Sequence, residues 1–141
     1  MTVVWMHGLG ADGHDFEPIV PMLNTPKVRY VFPHAPARPV TINGGMRMPA
    51  WYDILSLEDL DGRESEADIR RSARQITALV EHERDAGMPS ERIVLAGFSQ
   101  GGAMALHLAT RWEEKLAGVL VLSAYLVVPD QFDAEAQEVQ Q

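Results

Sequence analysis

The chain has 141 residues, enough for one domain with a real core. Hydrophobic content of 46% and charged content of 23% are ordinary for a globular protein, and a net charge of −8 argues against nucleic acid or an anionic membrane surface as partner. With no cysteine there is no disulfide framework and no thiolate metal site, a composition that fits the cytoplasm. The first residues show no basic region followed by a long apolar one, the pattern of a signal peptide.

Val3–Met6 reads as a strand that begins almost at the first residue and runs into a glycine-rich loop, His7–Gly13. Phe16, Ile19, Val20 and Leu23 then fall on one helical face. Pro18 suits the first turn of that helix, whereas Pro21 predicts that it is short or distorted. Val28–Phe32 is a second strand. From Pro33 to about Gly62 no clean period appears, and prolines at 33, 36, 39 and 49 with Gly44-Gly45 punctuate the segment. Met46, Met48, Trp51 and Tyr52 make it too apolar for a solvated linker, so it is expected to fold over the site.

Ser65 to Asp68 forms a capping box that opens a long helix. Ile69, Ala73, Ile76 and Val80 are its predicted buried stripe, and Gly87 with Pro89 ends it. Its charges, Arg70, Arg71, Arg74, Glu81 and Glu83 among them, are expected to form a solvated face. Arg92–Ala96 is a short β-branched strand, Gly102–Trp112 an apolar helix and Val119–Ser123 a further strand. The residues from Pro129 to Gln141 are acidic and polar, a loop or the start of a helix. Strands alternating with helices predict an α/β fold with a parallel sheet and right-handed crossovers, whose site lies at the carboxyl ends of the strands.

Between the strand ending at Ala96 and the helix from Gly102 stands Gly97-Phe98-Ser99-Gln100-Gly101, a G-x-S-x-G pentapeptide. Strand, sharp turn and helix make the setting of a nucleophile elbow, which lifts Ser99 clear of the sheet while the flanking glycines let strand and helix nearly touch. The first N–H groups of the helix, Gln100's above all, would point at an oxyanion formed on a carbonyl that Ser99 attacks. Residues 93 to 110 carry no formal charge, and Gly97 and Gly101 spell G-x-x-x-G. Ser99, Gln100, His107 and the glycines would nevertheless be costly in lipid, so stable membrane insertion is not expected.

Gly8-Leu9-Gly10-Ala11-Asp12-Gly13 also fits the dinucleotide fingerprint G-x-G-x-x-G. That fingerprint wants an acidic residue at the end of the next strand, and none occurs between Glu17 and Asp53. No nucleotide cofactor is expected. In a hydrolase the same glycines bring backbone close to the site, and the N–H of Leu9 becomes a second oxyanion donor. No H-x-x-x-H or similar spacing supports a metal site.

His7-Gly8-Leu9-Gly10-Ala11-Asp12, Phe32-Pro33-His34-Ala35-Pro36, Asn43-Gly44-Gly45, Trp51-Tyr52-Asp53 and Gly97-Phe98-Ser99-Gln100-Gly101-Gly102 together resemble the small carboxylesterases and acyl-protein thioesterases, α/β-hydrolases of the phospholipase/carboxylesterase group. The resemblance runs along nearly the whole chain. It implies Ser99 as nucleophile, the N–H groups of Leu9 and Gln100 as oxyanion hole, and Met46 and Trp51 lining the acyl-binding mouth. It further implies that His7 and His34 belong to loop-bracing motifs and that Asp53 braces the excursion. The family's catalytic Asp and His follow the strand corresponding to Val119–Ser123, and this chain stops before either. It is therefore expected to be a single, incomplete α/β-hydrolase domain over residues 1–141.

Of the histidines present, His82 lies near a helix end at the opposite edge of the sheet, and His107 is about 12 Å along the helix from Ser99 at 1.5 Å per residue. His7, His14 and His34 stand at the correct edge. The expected strand order, by the family's pattern, is Val28–Phe32, Val3–Met6, Arg92–Ala96, Val119–Ser123. Its apolar outer strands predict that the isolated chain self-associates or is unstable. Small to medium acyl esters or thioesters are the expected substrates. The alternatives are a non-catalytic module that grips acyl chains or a partner, and one half of a split hydrolase.

Overall fold

The computed structural model describes residues 1–56, 65–127 and 132–140. The residues at 57–62 of the expected excursion, and Pro129 to Gln131 and Gln141 of the expected C-terminal loop, lie outside them. A four-stranded sheet forms the centre, in the order β2 (Arg29–Val31), β1 (Thr2–Met6), β5 (Ile93–Phe98), β6 (Gly118–Leu122), with every pair parallel. This is the expected order. Thr2 pairs with both Arg29 and Ile93, and Leu95 pairs with Val119, so the carboxyl ends of all four strands leave from one edge.

Alternating side chains of β1 feed two cores, as the period of two requires. Val4 and Met6 pack with Leu95, Ile69, Ile76 and Met104 beneath α2 (Glu66–Asp85) and α3 (Gln100–Arg111). Val3 and Trp5 pack with Ala96, Phe16 and Phe32 on the other face, where the Trp5 and Phe16 rings stack with centroids 5.1 Å apart. Among the described residues, that second face carries only a 3₁₀ turn (Glu17–Ile19) and a one-turn helix, α1 (Val20–Leu23). Pro18 and Pro21 each stand in the first turn of one of these pieces, so Pro21 starts a new turn rather than interrupting an old one. No residue of either piece is buried, which limits the predicted face Phe16, Ile19, Val20, Leu23 to partial cover.

The segment without a clean period folds as an antiparallel hairpin, β3 (Ala37–Val40) with β4 (Met46–Pro49). Pro39 and Pro49 sit in this two-stranded ribbon, where a missing N–H is tolerated. A 3₁₀ turn over Thr41–Asn43 and two positive-φ glycines, Gly44 (65°) and Gly45 (79°), reverse the chain. Half of the expected capping box forms: Ser65 Oγ accepts the Asp68 N–H at 3.4 Å, whereas the Ser65 N–H donates to Asp53 O at 3.1 Å and Asp68 Oδ2 accepts the Asp53 N–H at 3.1 Å.

The solvated face expected of α2 needs correction at two positions. Glu83 is buried: its carboxylate accepts the Thr2 hydroxyl at 3.0 Å and Arg29 Nε at 3.0 and 3.2 Å, tying α2 to β1 and β2. Arg70 donates to both oxygens of Glu135, on α4 (Phe132–Glu135), at 2.6 and 2.7 Å. Arg111 Nε donates to the same carboxylate at 2.6 Å, so one acid clamps α2, α3 and α4 together. Those hydrogen bonds hold the Glu135 pKa down at about 2.

Candidate active site

Strand β5 runs two residues further than its β-branched run, to Phe98, and α3 begins at Gln100, so one residue makes the whole reversal. That residue is Ser99, at φ 55° and ψ −118°. A non-glycine side chain is rarely held at positive φ, and such strain concentrates where a side chain must be presented. The conformation is secured on both sides: Ser99 N–H donates to Leu122 O at 2.8 Å, and Ser99 O accepts the Ala103 N–H at 3.0 Å. The glycines of the motif are demanded by space. A Cβ on Gly97 would lie 2.2 Å from the carbonyl carbon and oxygen of Gly101.

The loop after β1 passes directly beside this turn. A Cβ on Gly8 would come within 3.5 Å of the Ser99 Cβ. The next residue is Leu9, half-buried, whose loop is tightened by Ala11 N–H to Gly8 O (3.3 Å) and pinned to the hairpin by Gly10 N–H to Pro49 O (2.9 Å). The Gln100 N–H heads α3 and has no acceptor within the helix. The structure therefore brings Ser99, Leu9 and Gln100 to one place at the carboxyl edge of the sheet.

The two residues expected at the mouth part company. Met46, on β4, is 65% exposed. Trp51 is fully buried beneath the site, its indole N–H donating to His7 O at 2.8 Å and its backbone N–H to Gln100 Oε1 at 2.7 Å. Asp53 braces the hairpin, accepting the Thr41 N–H and hydroxyl at 2.7 and 2.5 Å.

None of the chain's 5 histidines is hydrogen-bonded to Ser99 among the described residues. His7 uses both ring nitrogens: Nε2 accepts the Ala35 N–H at 3.0 Å, which leaves Nδ1 as the donor to Gly8 O at 2.7 Å. Burial pushes its pKa down. His34 Nδ1 accepts the Gly13 N–H at 2.9 Å, and the exposed His14 pairs with Glu17. His107 is packed inside α3's buried face, and burial, then the charges of Arg111 and Arg70, press its pKa down to about 4. Among the described residues no group of three or more His, Cys, Asp or Glu is placed to hold a metal ion, and no helix is long and apolar enough to cross a membrane. A cavity of about 280 Å³ lies at the far end of α3, lined by Thr77, Arg84, Leu108 and Arg111, away from Ser99.

Sequence reasoning passed over several residues that build the site. The Gln100 side chain reaches across to Trp51 and Tyr52, and Ser72 Oγ donates to Trp51 O. Ser72 lies between Ile69 and Ile76 on the buried stripe of α2, and a small polar residue in such a stripe signals a hydrogen bond to something packed above it. Tyr125, after β6, meets Tyr52 hydroxyl to hydroxyl at 2.8 Å.

A serine at positive φ between a central parallel strand and a buried helix, with a second loop laid alongside, defines an α/β-hydrolase fold with its nucleophile elbow. The chain belongs to the phospholipase/carboxylesterase family, whose model matches residues 1–141. It is 43% identical over 129 residues to acyl-protein thioesterase 1 of Cryptococcus neoformans, covering 89% of this chain and 54% of that protein. It is 42% identical over 139 residues to acyl-protein thioesterase 1 of Neurospora crassa, covering 93% of this chain and 57% of that one. The chain thus spans about half the length of these relatives. Among solved structures it resembles Arabidopsis thaliana SOBER1 (TM-score 0.90, 29% identity, 98% of this chain and 68% of that chain). It also resembles Zea mays acyl-protein thioesterase 2 (TM-score 0.78, 27% identity, 95% and 61%).

Proposed function

We propose that the protein is a serine hydrolase that cleaves carboxylic esters or thioesters of small to medium acyl groups through an acyl-enzyme. The observation that carries this reading is Ser99 held at φ 55° beside the Gly8–Leu9 loop and the first turn of α3. Ser99 Oγ attacks the acyl carbonyl, and the N–H groups of Leu9 and Gln100 take the charge that develops on its oxygen. The alcohol or thiol leaves with a proton, and water then releases the acid. In this reading the proton is relayed by an Asp–His pair of the kind the family resemblance implies, since none of the histidines is hydrogen-bonded to Ser99 among the described residues. In this reading Met46, exposed on β4, would line the acyl-binding mouth, with the buried Trp51 supporting it. Substrates are small-molecule esters or thioesters, no cofactor or metal takes part, and the compartment is the cytoplasm.

A second reading is favoured by the absence of a base on Ser99 among the described residues: a non-catalytic module on the same fold that holds acyl chains or a partner. Treating the full-length protein with a fluorophosphonate separates the two. The hydrolase reading expects a single phosphonyl adduct on Ser99, found by peptide mass, and none in Ser99→Ala. A full-length protein that stays unlabelled under conditions where known serine esterases react would favour the binding module.

A further inference from the structure

The Gln100 side chain has work of its own, separate from its backbone N–H. Its Oε1 accepts the Trp51 N–H at 2.7 Å, and its Nε2 donates to Tyr52 O at 2.7 Å. Only one orientation of the carboxamide satisfies both partners, so the network assigns it. The group is 97% buried, with a relative exposure of 3%. Trp51 continues the connection: its indole N–H donates to His7 O at 2.8 Å, and Ser72 Oγ holds its carbonyl from α2. The His7 ring is itself fixed between Ala35 N–H and Gly8 O. An unbroken line of buried hydrogen bonds thus runs from the residue that follows Ser99 to the two residues that precede Leu9.

We propose that the side chains of Gln100 and Trp51 are positioning residues that set the spacing between the two oxyanion donors, Gln100 N–H after β5 and Leu9 N–H after β1. The inference rests on the reading of Ser99 as nucleophile. The two donors leave from different strands, β5 and β1, and adjacent strands alone fix their bases rather than the loops above them. Gly10 N–H on Pro49 O holds the Gly8–Leu9 loop from its far side, and the Trp51 indole on His7 O holds it on the side that faces Gln100. A carboxamide is the side chain that can meet an N–H and a C=O side by side; an ionised glutamate cannot donate, and methionine has no donor and only a weak sulfur acceptor. An oxyanion forms only as the carbonyl becomes tetrahedral, so a displaced donor weakens the transition state more than the bound substrate.

The test compares Gln100→Met and Trp51→Phe with wild type and Ser99→Ala in the full-length protein, with p-nitrophenyl butyrate as substrate. Each variant keeps the backbone N–H groups and most of the buried bulk. The expected result is a kcat lowered about tenfold to a hundredfold with KM within about twofold. Affinity for a trifluoromethyl ketone, which forms an oxyanion adduct, falls in parallel. The double variant loses less than the product of the two single losses, because both act through one line. Near-UV circular dichroism identifies the folded variants; should Gln100→Met not fold, Trp51→Phe, which deletes one N–H, carries the same comparison. Folded variants with wild-type kcat, or with a loss confined to KM, overturn the proposal while leaving Ser99 as nucleophile. Wild-type turnover no greater than that of Ser99→Ala overturns the nucleophile reading, and this proposal with it.

Discussion

A Cβ on Gly101 would stand 2.2 Å from the carbonyl oxygen of Met6 and 2.4 Å from that of His7. The first turn of α3 is therefore in backbone contact with the end of the neighbouring strand, and the fit between them leaves no room for even one methyl group. Both obstacles are main-chain atoms, at the last residue of β1 and the residue after it, which cannot swing aside as a flexible side chain can. Gly101→Ala is expected to destabilise the protein by about 3 kcal/mol or more. Gly118→Ala, where a Cβ meets nothing within 4 Å, is expected to be close to neutral. Urea midpoints of the two variants check the contrast.

That contact was partly legible in the sequence. The G-x-S-x-G spacing, a β-branched run before it and an apolar helix after it implied strand, turn and helix, and the sheet order follows the family's pattern. Illegible was the reason for Gln100 rather than another polar residue, because its partners are backbone groups at Trp51 and Tyr52, far along the chain. The hairpin of β3 and β4 was hidden for a related reason. Its prolines and glycines break the alternation that marks a strand, and its pairing gives the order that its residue pattern withholds. The family resemblance implies Trp51 at the mouth, whereas the structure buries it fully, its indole N–H donating to His7 O.

Glu83 makes a second case, since one charge in a charged helix cannot be told from its neighbours by composition. Its side chain is 9% exposed and accepts from Thr2 and Arg29, while Arg29 itself is 64% exposed. Glu83→Ala strands a buried hydroxyl and is expected to cost about 1–3 kcal/mol. Arg29→Ala removes only the solvated partner and is expected to cost less than about 1 kcal/mol. Chemical denaturation of the single and double variants gives both values and their coupling.

His107 predicts a pH dependence with a definite sign. Burial, followed by the charges of Arg111 and Arg70, lowers its pKa from 6.5 to about 4, and its buried Nδ1 has no hydrogen-bond partner among the described residues. The unfolded chain takes up this proton more readily than the folded one. Stability from this group is thus full above pH 6.5, falls as pH drops toward 4, and the loss is on the order of 3 kcal/mol. Glu135, held at about 2 by Arg70 and Arg111, contributes its own loss in a lower window, below about 4.5. In His107→Leu the urea midpoint is expected to decline less between pH 6.5 and 4.5 than in wild type, the remaining decline coming from His7, whose pKa burial also lowers.

Strand β6 exposes Val119 (42%), Leu120 (42%) and Leu122 (36%). Apolar side chains on an outer strand invite a further chain to pair there. The isolated 141 residues are expected to self-associate at micromolar concentration, and Leu120→Lys with Leu122→Lys to reduce this. Sedimentation velocity reads the outcome directly, a monomer at all concentrations being the contrary result.

The central claim is that Ser99 forms a covalent acyl intermediate. It is tested most directly by stopped-flow p-nitrophenyl butyrate hydrolysis with the full-length protein beside Ser99→Ala. A burst of p-nitrophenol approaching one equivalent per chain, followed by steady turnover, with both lost in Ser99→Ala, is the predicted result. Turnover that persists unchanged in Ser99→Ala would contradict the account.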